Sequence, residues 1–294
     1  FYDKKLVSME ELEKIGAESD IVFIALPHGH AMNIGKRLLA QGTRIIDLGA
    51  DYRFTDTKIY EQWYNHTHVH PDANAVYGLT ELYREKIKDA DIVGNPGCYT
   101  TASILAIAPL LKNNLIEKET IIVDAKSGVS GAGRGLSLTS HFSEVFESVK
   151  AYSIAGHRHT PEIEQALSEV SGTGVTISFT PHLIPMSRGI LSTCYARIKE
   201  GVDLESIERA FWEMYGEEYF IRLLGFGGYP ATKHTRGSNF CDLGWHIDKR
   251  TNRVIVISAI DNLVKGAAGQ AIQNMNVMFG FDEKTGLIQV PLYP

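Results

Sequence analysis

The sequence is poor in cysteine and has no long apolar run. Its 294 residues include three cysteines, Cys98, Cys194 and Cys241, with no CxxC pair and no HExxH motif. Cysteines this few and scattered exclude a disulfide framework and disfavour a structural zinc site, so we expect no metal and a reducing, cytoplasmic setting. No apolar run reaches the roughly 18 residues of a membrane-spanning helix, so we expect no membrane partner.

Basic charge is also scarce. The chain has 29 Lys and Arg against 35 Asp and Glu, which gives a formal net charge of -6. This balance gives no support to binding of nucleic acid or of an anionic membrane surface. A hydrophobic content of 44% and a charged content of 22% are typical of a globular protein. The length allows one large domain or two ordinary ones.

The first hundred residues alternate between short apolar segments and helical patterns. The predicted strands are residues 20–26, 44–48, 75–78 and 90–94, and the predicted helices are residues 8–16, with Ser8 as N-cap, and 31–41. Strand, helix and strand at this spacing form a βαβ unit with parallel strands. We therefore predict the later part of a doubly wound, Rossmann-like α/β nucleotide-binding domain, whose first part is missing from this chain.

Residues 94–101, Gly-Asn-Pro-Gly-Cys-Tyr-Thr-Thr, place a cysteine between a tight turn and a helix. Pro96 and Gly97 favour the turn, and apolar residues recur at helical spacing over 101–111. The unpaired N–H groups of a helix N-terminus would stabilise a Cys98 thiolate. Cys98 is either a catalytic nucleophile or a free cysteine packed as a small hydrophobe, and the turn and the histidines downstream favour the nucleophile.

The pattern changes after this helix. Residues 120–126, 175–180, 190–199 and 254–259 are strand-like, and 161–170, 204–215 and 263–279 are helical. This arrangement predicts an α+β domain built on a mostly antiparallel sheet.

Two histidines lie on the loop before the helix at 161–170. Thr160 is a candidate N-cap and Pro161 suits the first helical position. His157 or His159 could accept the Cys98 proton and later return one, or either could simply form local hydrogen bonds. We favour His157, because His159 lies closer to the helix cap.

Three further features could bind a ligand. Gly131, Gly133 and Gly135 follow a strand and either hold an anion with their backbone N–H groups or form a plain loop. Arg188 is either an anion-binding side chain or a surface arginine. Asn262 either offers its amide to a cofactor or caps the last helix.

These segments together resemble the family of N-acetyl-gamma-glutamyl-phosphate reductases. Beside residues 94–101, the resemblance is carried by DLGADYRF (47–54), KSGVSGAGR (126–134), GHRHTPEIEQ (156–165), HLIPMSRG (182–189), GSNFCD (237–242) and DNLVKGAAGQAIQNMN (261–276). It covers nearly the whole chain.

The resemblance implies a fold like that of glyceraldehyde-3-phosphate and aspartate-semialdehyde dehydrogenases. It implies reversible, NADP(H)-dependent reduction of an acyl phosphate to an aldehyde in arginine biosynthesis. Cys98 would be the acyl-accepting nucleophile, His157 the general acid/base, and Asn262 a residue near the nicotinamide. Family members begin with a strand and a GxxGxxG turn, so we expect an upstream segment that this chain does not contain.

We predict the following assignments on this basis. The substrate contacts are Asn95, Ser127, Gly128, Arg158, His182 and Arg188, and the cofactor contacts are Pro27, Gly131, Gly133 and Asn262. Residues 1–97 with 263–294 would form the NADP-binding domain, and residues 98–262 the catalytic and dimerisation domain. We expect a small-molecule substrate and a homodimer or homotetramer.

Three alternatives stay open at this point. One is an aminoadipyl-phosphate reductase of lysine biosynthesis, which shares the chemistry and differs in the acyl group. A second is an aspartate-semialdehyde dehydrogenase, which the segments around Cys98 and His157 disfavour. The third is a cofactor-binding protein without catalytic activity, against which the presence of both Cys98 and His157 argues.

Overall fold

A parallel sheet forms first along the chain in the computed structural model, which describes residues 6–293. Its strand order is β1-β2-β4-β3, and neighbouring strands pair in parallel. The elements of this half are α1 (Leu12–Ala17), β1 (Ile21–Ile24), α2 (Ala31–Leu39), β2 (Arg44–Asp47), α3 (Thr57–Tyr64), β3 (Ala75–Tyr77), α4 (Thr80–Lys88) and β4 (Ile92–Gly94). The carboxyl ends of all four strands meet at one edge, the edge at which open α/β sheets bind ligands.

The predicted Rossmann-like strand pattern is confirmed, since each expected strand contains an observed one. The predicted cap at Ser8 is wrong. A 3₁₀ turn, Met9–Glu11, precedes α1, and the Ser8 side chain makes no capping hydrogen bond to it.

Helix α5 (Cys98–Lys112) is the central core element. Every residue from Tyr99 to Leu111 is buried, as expected of a helix that is apolar on all sides. The same apolar cluster joins this helix to Val93 of the first sheet and to Val123 and Val256 of the second. The start of α5 is therefore held rigidly between the two sheets.

The second sheet contains seven strands in the order β6-β7-β5-β8-β11-β10-β9. The elements of this half are β5 (Ile116–Gly128), α6 (Phe142–Val145), β6 (Lys150–Ala151), α7 (Thr160–Ser171), β7 (Ser178–Ile184), β8 (Ile190–Ile198), α8 (Leu204–Tyr215), β9 (Ile221–Phe226), α9 (Thr232–Thr235), β10 (Cys241–Asp248), β11 (Arg253–Ile260) and α10 (Gly269–Met278). Most pairings are antiparallel, as predicted, but β5 pairs with β7 and β9 with β10 in parallel.

One face of this second sheet is only partly covered. Along β8 the buried residues alternate with the partly exposed residues Leu191, Thr193 and Tyr195. Tyr195 pairs with Ile122 of β5 on one side and with Ile255 of β11 on the other, so an apolar row crosses three strands. Across residues 6–293, no helix combines the length and the apolarity needed to cross a membrane.

The last helix differs from the prediction of one regular helix over residues 263–279. A π-helical segment, Val264–Ala268, precedes α10. Such wide turns are rare and often lie at functional sites. Here the wide turn brings Gly266 against Cys98: a β-carbon on Gly266 would lie 2.8 Å from that of Cys98.

Candidate active site

The turn after β4 leaves Cys98 as the first residue of α5, so its predicted position at a helix N-terminus is confirmed. Gly97 is extended (φ -68°, ψ 153°), and its carbonyl accepts the Thr101 N–H at 3.0 Å, which starts the helix. A β-carbon at Gly97 would lie 2.4 Å from Nε2 of His159. Only glycine leaves room for this imidazole beside the turn that precedes Cys98.

The protonation state of Cys98 differs from the prediction. Burial raises the pKa of its thiol to about 11, against the opposing effect of the Tyr99 backbone N–H. The helix N-terminus is present, but desolvation outweighs it. The expected thiolate is therefore wrong for the ligand-free protein, in which Cys98 is a thiol at pH 7.

Both predicted histidines contact the ring of Tyr99. The centroids of His157 and His159 lie 5.7 Å and 6.0 Å from that of Tyr99, and 4.7 Å from each other. The His159 backbone N–H donates to Nδ1 of His157 at 3.1 Å, so a neutral His157 carries its proton on Nε2. Burial, helped by Arg158, lowers the pKa of His157 to about 4, and burial together with His157 lowers that of His159 well below its usual value. Both rings are neutral at pH 7.

Glu162 is a site residue that the sequence analysis missed. Its buried Oε1 accepts hydrogen bonds from Gly97 N at 2.8 Å, Thr100 Oγ1 at 2.9 Å and the Tyr77 hydroxyl at 2.7 Å. Its Oε2 lies 3.2 Å from Nη1 of Arg53. One carboxylate thus ties the amino end of α7 to the nucleophile turn.

Arg53 completes this support from the first sheet. Its Nε donates to the carbonyl of Asn95 at 2.7 Å, and its Nη2 donates to that of Leu48 at 2.9 Å. Arg53 stands in the DYRF segment and Glu162 in the HTPEIEQ segment that the resemblance singled out. Neither segment shows by itself that the two residues pair, because they lie far apart along the chain.

Asn95 is one of the predicted substrate contacts. Its side chain is 1% exposed, with Nδ2 donating to Ala267 O at 3.0 Å and Oδ1 accepting from Asn274 Nδ2 at 3.2 Å. Both amide atoms are therefore used inside the protein. Asn95 fixes the turn against α10, and its predicted contact with the substrate stays a prediction.

The loop after β5 packs closely against neighbouring residues at two of its glycines. A β-carbon at Gly128 would lie 2.8 Å from the Arg188 nitrogen, and one at Gly131 would lie 2.6 Å from Ser127 Oγ. Ser127 is buried and donates to the Gly128 carbonyl at 3.0 Å. Gly131 and Gly133 are exposed, which leaves the outer side of the loop open.

Asn262 holds this loop to the chain before β8. Its Oδ1 accepts the Gly189 N–H at 2.7 Å, and its Nδ2 donates to Ser130 Oγ at 2.9 Å. Asn262 does not cap the last helix, whose first N–H group, that of Val264, lies 3.3 Å from Oδ1 of Asp261. The Asp261 carboxylate instead accepts the Leu263 N–H at 2.8 Å.

The remaining predicted residues lie at different depths. Arg188 is partly exposed and has Nη1 3.6 Å from the buried carboxylate of Asp261. His182 has Nδ1 3.2 Å from Asp124, and its carbonyl accepts the Tyr99 hydroxyl at 3.0 Å. Pro27 is exposed just after β1, at the carboxyl edge of the parallel sheet.

A cavity of about 470 Å³ opens beside the histidine loop. His157 and Arg158 form part of its wall, and Lys150 adds a second cationic side chain. Val145 and Leu183 give it an apolar portion. Such a cavity suits a small substrate that carries both anionic and apolar groups.

Comparison with known families places both halves of the chain in one enzyme group. The model described as semialdehyde dehydrogenase, dimerisation domain, matches residues 98–262. The model described as semialdehyde dehydrogenase, NAD binding domain, matches residues 2–90.

Curated relatives are similar over nearly the full chain. An N-acetyl-gamma-glutamyl-phosphate reductase of Thermoanaerobacter sp. is 54% identical over 295 residues, which are 100% of this chain and 85% of that protein. One from Symbiobacterium thermophilum is 57% identical over 293 residues, 98% of this chain and 84% of that protein. One from Geobacter metallireducens is 53% identical over 296 residues, 100% and 85% of the two chains.

Solved structures show the same fold at low identity. Aspartate semialdehyde dehydrogenase II from Vibrio cholerae matches with a TM-score of 0.70 at 16% identity, over 90% of this chain and 81% of that one. Aspartate semialdehyde dehydrogenase from Candida albicans, crystallised with NADP, matches with a TM-score of 0.59 at 16% identity, over 91% and 79% of the two chains. These matches confirm the predicted two-part fold.

Proposed function

Since this chain belongs to the family of N-acetyl-gamma-glutamyl-phosphate reductases, we propose that it reduces N-acetyl-gamma-glutamyl phosphate to N-acetylglutamate semialdehyde through a thioester on Cys98. The observation that carries the thioester step is the placement of Cys98 at the start of α5 with two neutral imidazoles beside the turn. Covalent catalysis of this kind divides one difficult displacement into two easier steps.

In the first step the Cys98 sulfur forms a bond to the acyl carbon as the bond from that carbon to the phosphate oxygen breaks. Because the thiol is protonated in the free protein, its proton must pass to a neighbouring base during the attack. We propose His157 as the general acid/base. It must release the His159 N–H to accept a proton on Nδ1, or change tautomer to accept one on Nε2.

In the reduction step we propose that His157 acts in the opposite direction, as a proton donor. Its Nε2–H can donate to the oxygen that gains negative charge when the thioester is reduced. The N–H groups of the first turn of α5 would support the same oxygen. The Gly97 N–H cannot do so, because it is donated to Glu162. Removing one such donor in other enzymes costs about 3 kcal/mol of transition-state stabilisation.

Arg158 is the better of the two arginines for the departing phosphate. It borders the cavity beside His157, whereas Arg188 is held by Asp261. A guanidinium offers paired donors to phosphate oxygens, and its charge does not depend on pH near neutrality.

The cofactor is NADP(H), and the residues present fit it. Pro27 lies at the ligand-binding edge of the parallel sheet, and a β-carbon on Gly133 would meet no atom within 4 Å, so the loop backbone there is accessible. Gly131 would supply its N–H group to it, whereas the Gly133 N–H is donated to the Ser130 carbonyl at 3.2 Å, so that Gly133 would line the ligand without donating. Asn262 would keep this loop in place. When bound, NADPH supplies the hydride that converts the acyl group to the aldehyde. We assign residues 1–97 with 263–294 to the NADP-binding part and residues 98–262 to the catalytic part. The family models support the ranges 2–90 and 98–262, and the hydrogen bonds of Asn274 with Gly78 and Thr80 support placing the last segment with the first sheet.

Reverse turnover gives the direct test. N-acetylglutamate semialdehyde should reduce NADP in the presence of phosphate, and aminoadipate semialdehyde and aspartate semialdehyde should react far more slowly. A preference for the aminoadipyl compound would indicate that the enzyme acts in lysine biosynthesis instead. Absence of turnover with all three aldehydes would leave a cofactor-binding protein without catalysis.

We further propose that the enzyme is a homodimer joined through the partly covered face of the second sheet, and that it acts in the cytoplasm. This interface is supported by the apolar row of Ile122, Tyr195 and Ile255. The cytoplasmic location is supported by the three cysteines, which are free, as is usual in a reducing compartment. Tyr195→Asp should yield a monomer in light scattering. Trp212→Asp, which changes an exposed aromatic residue of α8, should leave a dimer. A monomeric parent protein would refute the interface.

A further inference from the structure

A second group of polar side chains lies beside Tyr64, between the parallel sheet and the histidine loop. His28 follows β1, and its ring meets that of Tyr64 edge-on with centroids 4.8 Å apart. The guanidinium carbon of Arg158 lies 5.1 Å from the centroid of the same ring. Tyr64 thus holds an imidazole from the first sheet and a guanidinium from the loop before α7 around one small region.

Polar atoms in this region lack partners. The Nδ1 atoms of His28 and His159 are both buried, and neither has a hydrogen-bond partner within residues 6–293. Leaving a buried polar group without a hydrogen bond is unfavourable, so these two atoms call for a partner from outside the chain.

The charges select an anion as that partner. Within the described part of the chain, Arg158 forms no ion pair, while the neighbouring carboxylates are already in use. Asp51 accepts the Gly29 and Ala31 N–H groups and the Tyr60 hydroxyl, and Glu162 is paired with Arg53. A small oxyanion with several acceptor oxygens would satisfy both the guanidinium and a neutral imidazole N–H.

We propose that His28 and Arg158 form a phosphate-binding subsite beside the ring of Tyr64. His28, on the loop between β1 and α2, supplies a hydrogen-bond donor to the phosphate. This inference rests on the proposed reductase function and extends it to a residue of the first sheet. The shared ligand chemistry is a phosphate oxyanion. Its two sources are the phosphoryl group of the substrate, released as inorganic phosphate, and the diphosphate of the dinucleotide.

Equilibrium binding tests the subsite without turnover. Calorimetric titrations with inorganic phosphate alone and with NADP alone would compare the parent protein with His28→Ala. His30→Ala is the matched control, since this exposed histidine lies on the same loop. We expect His28→Ala to weaken binding about tenfold, the loss of one charge-assisted hydrogen bond, and His30→Ala to leave it unchanged.

The two titrations separate the sources. A loss confined to phosphate assigns the subsite to the substrate's phosphoryl group, and a loss confined to NADP assigns it to the cofactor. Unchanged affinity of His28→Ala for both ligands would overturn the proposal. His28→Gln, which keeps an amide donor, should recover part of the affinity, and recovery would exclude misfolding of the alanine variant as the cause.

Failure of this subsite is distinguishable from failure of the reductase assignment. A parent protein that binds phosphate through His28 but does not oxidise N-acetylglutamate semialdehyde would refute the reductase alone. An active parent protein whose His28→Ala variant binds phosphate and NADP normally would refute the subsite alone.

Discussion

Glu162 accepts the backbone N–H of Gly97 at 2.8 Å, and so a residue of α7 fixes the turn that presents Cys98. The same carboxylate faces the buried guanidinium of Arg53. Breaking a buried ion pair by neutralising one partner leaves an uncompensated charge, which is strongly destabilising.

Glu162→Gln should therefore lower the free energy of unfolding by about 3 kcal/mol and reduce kcat. Urea denaturation and steady-state kinetics measure the two effects. Glu169→Gln, on the same helix, loses an exposed pair with Lys86, while its amide oxygen can still accept the Tyr83 hydroxyl, and it should cost well under about 1 kcal/mol. Equal stability of both variants would show that Glu162 does not support the turn energetically.

Cys98→Ala should abolish turnover and leave the folded structure intact, because the nucleophile is lost while the helix start keeps its backbone contacts. Cys194→Ala is the matched control: this buried cysteine lies on β8, and its loss should reduce stability but preserve kcat. Circular dichroism would verify folding of both variants. Substantial activity of Cys98→Ala would exclude the thioester.

The raised pKa of Cys98 predicts a distinct pH dependence of thiol alkylation. A group with a pKa of about 11 is almost wholly protonated at pH 7, so its thiolate fraction grows about tenfold per pH unit up to that value. The alkylation rate of Cys98 in the ligand-free protein, followed by mass spectrometry, should rise across pH 7–10 without a plateau. A plateau below pH 8 would instead reveal a stabilised thiolate.

Matched substitutions distinguish the catalytic roles of the two histidines. His157→Asn should lower kcat at least about 100-fold, the usual contribution of a general acid/base. It should also remove the loss of activity that protonation of His157 causes near pH 4, because burial lowers the pKa of this imidazole to about 4. We expect a smaller effect for His159→Asn, measured in the same assay. A larger loss in His159→Asn would assign the proton transfers to His159.

Gly266→Ala tests the wide turn beside the nucleophile. Its added methyl group would lie 2.8 Å from the Cys98 β-carbon, so the cysteine or the turn must shift. We expect kcat to fall at least about tenfold, since small misplacements of a nucleophile are costly. Gly280→Ala provides a reference glycine with open space after α10, although its positive φ (68°) predicts some loss of stability. Unchanged kcat in Gly266→Ala would show that the turn tolerates displacement.

Local patterns in the sequence predicted much of this structure. The four strands of the first sheet, the position of Cys98 and helix α8 follow from hydrophobic periodicity and turn residues, which act over a few neighbours. The strand β10 was missed, because its run Cys-Asp-Leu-Gly-Trp-His-Ile-Asp mixes polar and apolar residues without a clear alternation.

The rest depends on contacts between distant parts of the chain. The pairing of Arg53 with Glu162 and the closed amide of Asn95 are not visible in any local segment. The prediction of a Cys98 thiolate was wrong for the same reason. A helix start lowers the pKa of a thiol and can be seen in the local sequence, whereas burial raises the pKa and is decided by the whole fold.

The contacts of Asn274 bear on the order in which the enzyme matures. Its Nδ2 donates to the Gly78 carbonyl at 2.8 Å and lies 3.2 Å from Oδ1 of Asn95, so a residue near the end of the chain secures the turn before Cys98. During synthesis the first sheet leaves the ribosome long before α10 does. The turn before Cys98 therefore lacks the support of Asn274 until α10 has been made and has packed against the first sheet.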